Sequence, residues 1–338
     1  MSLDLARDER RGWIGRTTVK PEILIGAPMP PSVIAALEAV FTVHRLWEIE
    51  DKQGFFADAG KRVRGMAAST LAGRIDGAQM DRLPALEIIS SFGVGYDTID
   101  AAAAAERGIV VTNTPGVLDD EVADLTIGLL LATLRQLPQA DRFVREGRWP
   151  QGPFPLSPTL RGRRIGILGL GAIGKAIAHR LEAFGVEIAY HTRSPKDGVS
   201  YAYHDTLIGL AAASDVLIAI VPGGASTRHI VDAEVLAALG ADGVFINVAR
   251  GSVVDQPALI AALQAGTILA AGLDVYEDEP NVPEALIALP NVVLLPHLGS
   301  ASVHTRAAMG QRVVDNLKAW FADGQPLTPV AETRHLVS

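Results

Sequence analysis

The stretch "RRIGILGLGAIGKAIAHRLEAFG", Arg163 to Gly185, decides how the rest of the chain is read. It runs as a short apolar strand, a glycine-rich turn and an apolar-periodic helix. Gly169 permits the tight turn, Gly171 lets the backbone approach a pyrophosphate, and Gly174 lets the helix pack close to its strand. Amides at the start of such a helix face the phosphates of a dinucleotide. The glycine spacing alone is a weak signal, but between a strand and a helix it is a specific one.

Working outward, six apolar runs with helical segments between them predict a doubly wound sheet: "RRIGILG", "VEIAYH", "SDVLIAIV", "GVFINVA", "ILAAGLDV" and "NVVLLPH". The first third alternates in the same way. "EILIG", "FTVHRL", "VRGMAAS", "LEIIS" and "GIVVTN" predict five strands of a second parallel α/β sheet. The alanine run Ala101 to Ala105 reads as a helix between two of them. Between the two sets, "LDDEVADLTIGLLLATLRQLPQADRFVREG" predicts one long amphipathic helix or a pair, with Asp119 to Glu121 suiting the dipole at its start. The tail "SVHTRAAMGQRVVDNLKAWFADG" is a further helix ending at Gly324.

The second strand of the dinucleotide unit ends in "AYHTRSPK", Ala189 to Lys196. NAD-selective units keep an acid there to accept from the ribose hydroxyls, and that acid repels the 2′-phosphate of NADP. His191 and Thr192 remove the repulsion, Arg193 can pair with the phosphate, Ser194 can donate to it, and Lys196 adds long-range attraction. The stretch therefore predicts a preference for NADPH, with NADH the weaker cofactor. The plain alternative is that Arg193 is a solvated loop cation.

Composition narrows the class. A chain of 338 residues, 49% hydrophobic and 20% charged, has length for two domains that each bury a core. A formal charge of −8 argues against a nucleic-acid partner, which needs a basic face. With no cysteine, disulfides, thiolate metal sites and a cysteine nucleophile are excluded, and no metal site is expected. Residues 1 to about 20 are charged and aperiodic, without the apolar core of a signal peptide, and no run elsewhere is long enough for a bilayer. A cytoplasmic protein without a membrane partner is the expectation.

Three more segments follow predicted strands, where ligand loops of such sheets collect: "INVARGSVVD", "AGLDVYEDEP" and "LLPHLGSAS". They supply a fixed cation, a carboxylate and an imidazole in Arg250, Glu279 and His297. Read singly, these are a surface cation, a loop acid before Pro280 and a strand-end histidine.

Taken in order with "GLGAIG", these motifs resemble the D-isomer-specific 2-hydroxyacid dehydrogenases over residues from about 22 to 330. "SSFGVGYDTID" and "VTNTPGVLDDEVADLTIGLLLA" are most similar to the NADPH-dependent glyoxylate, hydroxypyruvate and hydroxyphenylpyruvate reductases of that family. The resemblance implies that His297 is the general acid and base of hydride transfer, that Glu279 orients its ring and favours imidazolium, and that Arg250 grips the substrate carboxylate. It implies that the backbone at Val94 and Gly95 binds that carboxylate from the opposite domain, with Ser69 and Thr70 lining the same pocket. It implies further that the cofactor meets Gly169, Leu170, Gly171, Ala172, Ile173 and Gly174. Val221 and Pro222 would flank adenine, and Thr227, Val248, Ala249, Asp274, His297 and Gly299 would complete the cofactor contacts.

The same resemblance implies two Rossmann-like domains, with residues 113–296 the NADP-binding one. It would be inserted in a flavodoxin-like substrate domain of residues 1–112 and 297–338, the two closing over the substrate. The helix after Asp119 resembles a dimerisation element, so a homodimer is expected. The expected activity is NADPH-dependent reduction of small 2-oxo acids such as glyoxylate and hydroxypyruvate, with 2-ketogluconate or an arylpyruvate as alternative substrates. A rival of another class is a dinucleotide-sensing corepressor, which the missing long extensions disfavour. Trp47, Phe55, Phe56, Trp149 and Phe154 are candidates for a pocket wall, although aromatic side chains more often serve a core or an interface.

Overall fold

The computed structural model describes residues 20–69 and 72–337. The chain divides into two compact units. One comprises the residues up to Phe92, Thr98–Asn113 and the chain from Gly310 onward. The other comprises Gly93–Asp97 and Thr114–Met309.

The first unit holds β1 (Glu22–Ile25), β2 (Thr42–Arg45), β3 (Val63–Ala68), β4 (Ile88–Ser91) and β5 (Val110–Thr112). All pair in parallel in the order β2-β1-β3-β4-β5, the flavodoxin-like arrangement, and all five were legible as apolar runs. Ile23, Ile25, Ile88, Ile89, Val110 and Val111 are fully buried in the sheet. Successive strand residues face opposite sides, so buried neighbours of this kind mean that both faces are covered. The alanine run forms the helix Ala101–Glu106, capped by Asp100, whose carboxylate accepts from the Ala103 amide at 2.9 Å. The C-terminal helix Val303–Asp323 ends where Gly324 takes a φ of 77°. Its indole Trp320 donates to Glu87 at 3.0 Å, and Glu87 also pairs with Arg64 at 2.7 Å, which pins this helix to the sheet.

The second unit holds β6 (Arg164–Leu168), β7 (Glu187–His191), β8 (Ala202–Tyr203), β9 (Val216–Ala219), β10 (Val244–Asn247), β11 (Ala270–Leu273) and β12 (Val292–Leu294). They form one parallel sheet in the order β12-β11-β10-β9-β6-β7-β8. The order reverses beside β6, at the switch point where such sheets bind dinucleotides. Six strands were expected and seven are present among the described residues. The missed strand, β8, has two residues, too few to show a period of two, and its pairing with Ala189 and Tyr190 depends on chain folded against it.

Leu168, Leu217, Phe245 and Leu273 pack on one face, while Ile167, Ile218 and Ile246 pack on the other. Each such side chain contributes about 1.5–3 kcal/mol by leaving water. The segment after Asp119 is a pair of helices, Asp119–Leu134 and Leu137–Arg145. Gln136 in the left-handed conformation breaks them apart, and Pro138 starts the second. The first buries Val122, Leu129 and Leu130, whereas the second buries no side chain. Among the described residues no helix is long and apolar enough to cross a membrane, and no group of three or more His, Cys, Asp or Glu side chains could hold a metal ion.

Candidate active site

The glycine turn joins β6 to the helix Ala172–Glu182. Gly169 has a φ of 99°, a conformation that side-chain-bearing residues rarely adopt, and a Cβ there would lie 2.5 Å from the Ile220 carbonyl oxygen. A Cβ on Gly174 would run into the Gly169 carbonyl, so strand and helix touch through these two glycines. Leu170 is buried and anchors the turn, while Ala172 is exposed and Ile173 half-buried. The helices starting at Ala233 and Gln256 are capped by Asp232 and Asp255, but Gly171 offers its helix no side chain. A Cβ on Gly171 would meet nothing within 4 Å. First-turn amides without a side-chain acceptor, under a backbone that opens on free space, fit a pyrophosphate.

At the end of β7, Arg193 and Ser194 are exposed, and His191 and Thr192 are half-buried. The His191 Nδ1 lies 2.9 Å from the His204 carbonyl oxygen, an acceptor, so Nδ1 carries a hydrogen and donates. Thr192 Oγ1 donates to the Ser194 carbonyl at 2.6 Å. No carboxylate is found in the run from Tyr190 to Lys196.

His297 and Glu279 are brought together from two loops of the same unit. His297 Nδ1 lies 2.7 Å from Glu279 Oε2, and the other Glu279 oxygen accepts from the Tyr276 amide at 3.0 Å. His297 itself has a φ of 55°. The left-handed region is uncommon for residues other than glycine, histidine being among those that visit it, and the conformation persists where its surroundings fix it. Asp274 does the fixing. Its carbonyl accepts from the His297 amide at 2.9 Å, and its carboxylate accepts from the Leu298 amide at 2.6 Å and the Gly299 amide at 2.8 Å.

Burial pushes the Glu279 carboxyl up, but the His297 hydrogen bond and charge, the Tyr276 amide and the Arg250 charge outweigh it and hold the group below its usual range. Asp274 moves the other way, because burial outweighs the two amides it accepts from. The Tyr276 phenol is pushed up to about 12 by burial and by the neighbouring Asp274 and Glu279 charges. A depressed carboxyl contributes stability that is complete above its unfolded value of about 4.3 and is lost as pH falls through the lower folded value. In urea titrations the stability gap between wild type and Glu279→Gln is therefore expected to close as pH falls below about 4. A gap that persists undiminished below about pH 4 would contradict this assignment.

Arg250 follows β10. Asn247 accepts from the Ala249 amide at 3.1 Å and donates to the Arg250 carbonyl at 3.0 Å, closing the turn that presents the arginine. The guanidinium donates from Nε to Asp97 at 3.0 Å and from Nη1 to the Ala249 carbonyl at 2.8 Å. Its Nη2 lies where a Cβ on Gly95 would be, so the Val94–Gly95 backbone and the arginine head are in contact. A Cβ on Gly251 would collide with the Tyr276 and Glu277 backbone, which presses the arginine turn onto the segment that carries Glu279. Gly251→Ala is expected to abolish soluble folded protein, because both colliding groups are backbone. Recovery of a native-like circular dichroism spectrum from that variant would sink this reading.

The second unit thus brings together Arg250, Glu279, His297, Val94 and Gly95 with the cofactor candidates of the turn and of β7. Val248 and Ala249 are buried in the arginine turn, and Val221 and Pro222 follow β9. Thr227 Oγ1 donates to the Pro222 carbonyl at 2.7 Å, holding that loop. Ser69 belongs to the first unit, where its hydroxyl is buried without a partner among the described residues. Thr70 lies outside the described residues. Phe55 packs on His44 and Phe56, and Arg82 covers the Phe56 ring, so these aromatics are engaged locally. Phe154 packs on Phe143, and Trp149 is exposed. Sequence reading missed Asp97, Asn247 and Gly251. The motif "NVARG" contained two of them, but their role is a backbone contact that only the fold creates.

Residues 127–299 match the family model described as D-isomer specific 2-hydroxyacid dehydrogenase, NAD binding domain. The chain is 48% identical over 308 residues to glyoxylate/hydroxypyruvate reductase A of Arabidopsis thaliana, covering 91% of this chain and 98% of that protein. It is 46% identical over 308 residues to the hydroxyphenylpyruvate reductase of Plectranthus scutellarioides, with the same two coverages. The crystal structure of an NADPH-dependent glyoxylate/hydroxypyruvate reductase of Sinorhizobium meliloti, in complex with NADP and malonate, superposes with a TM-score of 0.88 at 58% identity, covering 93% of this chain and 98% of that one.

Proposed function

Because this chain belongs to the D-isomer specific 2-hydroxyacid dehydrogenase family, we propose that it reduces small 2-oxo acids, glyoxylate and hydroxypyruvate first among them, to D-2-hydroxy acids with NADPH. The observation that carries the reading is the 2.7 Å pair of His297 and Glu279 with the Arg250 charge beside it. In this reading the first unit is the substrate domain and the second the cofactor domain.

A dinucleotide held by the Gly169–Gly174 turn supplies the hydride. The chain's own residues handle the proton and the charge. Glu279 accepts from Nδ1, so Nε2 is the imidazole nitrogen free to act. Protonated, Nε2 gives its proton to the substrate carbonyl oxygen; neutral, it takes the proton back in the oxidation. Arg250 commits Nε to Asp97 and one Nη1 hydrogen to Ala249, which leaves Nη2, beside Gly95, for the substrate carboxylate.

The preference for NADPH rests on Arg193 and Ser194, exposed at the end of a strand that carries no acid. One charge-assisted contact contributes about 1.5–3 kcal/mol. Arg193→Ala is therefore expected to lower the NADPH-to-NADH ratio of kcat/KM about ten- to a hundredfold. An unchanged ratio would mean that Arg193 is only a solvated cation.

The same reading makes the protein a cytoplasmic homodimer. Support comes from the helix Leu137–Arg145 and the chain after it, where Leu137, Val144, Trp149 and Leu156 are all exposed. Exposed apolar side chains that follow one another this closely along the chain suit a protein interface. The deciding experiment is a panel of 2-oxo acids, including 2-ketogluconate and arylpyruvates, assayed with NADPH and with NADH. Turnover of glyoxylate or hydroxypyruvate with NADPH supports the reading, and no turnover of any 2-oxo acid with either cofactor overturns it.

A further inference from the structure

β8, the two-residue strand at the sheet edge, has no place in the chemistry described so far. Its second residue, Tyr203, stands in register with Tyr190 of β7, and the two rings lie 5.4 Å apart. Both hydroxyls reach the same loop. Tyr203 donates to the Thr192 carbonyl at 3.2 Å, and Tyr190 accepts from the Lys196 amide at 2.9 Å. Between these two ties, Thr192 Oγ1 closes on the Ser194 carbonyl at 2.6 Å. The start, middle and end of the loop are therefore each hydrogen-bonded, and Arg193 and Ser194 face solvent between the two tyrosine ties. Behind them the His204 amide donates to the Tyr190 carbonyl and the His191 ring donates to the His204 carbonyl, each at 2.9 Å.

We propose that Tyr203 and Tyr190 are positioning residues for cofactor discrimination: their hydroxyls preorganise the Thr192–Lys196 loop so that Arg193 and Ser194 meet a 2′-phosphate. The proposal rests on the NADPH reading above. Neither tyrosine needs to touch the cofactor. A loop already held in its binding conformation loses less freedom when it binds, and the gain goes only to the ligand that uses the loop. NADPH uses it through the 2′-phosphate; NADH carries only an uncharged hydroxyl there, which gives Arg193 no anion to pair with.

The test reads binding rather than turnover. NADPH and NADH are titrated into wild type, Tyr203→Phe, Tyr190→Phe, Arg193→Ala and Tyr203→Phe/Arg193→Ala, following cofactor fluorescence. Tyr203→Phe keeps the ring and removes only the hydroxyl, and NADH affinity reports whether each variant has kept its fold. The expected result is an NADPH Kd about three- to tenfold weaker in each tyrosine variant, an NADH Kd within about twofold of wild type, and little added loss in the double variant. Equal losses for both cofactors in both tyrosine variants would make the tyrosines merely structural and overturn the proposal. If Arg193→Ala lowers the preference and neither tyrosine variant does, the tyrosine proposal alone fails. If Arg193→Ala leaves the preference unchanged, the NADPH reading fails and takes the proposal with it.

Discussion

His297→Asn is expected to reduce hydroxypyruvate about 10²- to 10⁴-fold more slowly than wild type while still binding NADPH. The size follows from losing proton transfer in the transition state. Neither the cofactor turn nor Arg250 is altered by the change. Asparagine suits the test because it tolerates the left-handed backbone found at this position, so the Asp274 ties to residues 297, 298 and 299 can persist. Glu279→Gln should be milder, since an amide oxygen can still accept from Nδ1 but brings no charge to favour imidazolium. The check is kcat measured under saturating substrate and NADPH, with cofactor Kd measured separately. Loss of NADPH binding in step with kcat would mean that His297 supports the site and does not act in it.

Arg250→Ala should cost about 10²- to 10³-fold in kcat/KM, most of it as a raised KM for the 2-oxo acid. Two effects combine. The substrate carboxylate loses its guanidinium partner, and Asp97, which shares that guanidinium at 3.0 Å, is left as an uncompensated negative charge in the same place. The second effect makes a sharper prediction possible. Adding Asp97→Asn to Arg250→Ala should recover part of the loss by removing the repulsion. Arg250→Lys should recover little, because an ammonium cannot serve Asp97, Ala249 and a carboxylate at once as the planar fork does. A KM that stays at the wild-type value in Arg250→Ala would remove the arginine from substrate binding.

The parts of this molecule that could be read in advance are those whose signal is local. β6 and its glycine turn are encoded in one continuous stretch, and apolar runs marked β1, β3, β4 and β5 because those strands are buried on both faces, while the edge strand β2 has no buried residue. Arg250, Glu279 and His297 could be nominated because each follows a strand of a parallel sheet, where loops gather. Their partners could not. Asp97 is 153 positions from Arg250, and nothing in either segment announces the other. Gly251 looks like a turn residue until the Tyr276 backbone is seen against it. Asp274 reads as a cofactor contact, but nothing in its segment announces that its two oxygens hold the Leu298 and Gly299 amides. β8 was missed because two residues carry no period, although Tyr203 within it reaches the loop of Arg193.

The left-handed backbone at His297 sets two selective demands against each other. Glycine, or asparagine, would relax that conformation, although either would also leave Glu279 without its partner, and on the proposed mechanism either would disarm the proton transfer. Substitutions here that improve thermal endurance should therefore be found among inactive variants, and a programme that selects for heat resistance alone would drift toward them. On the proposed mechanism, position 297 is a place where backbone ease and turnover cannot both be maximised by changing one side chain.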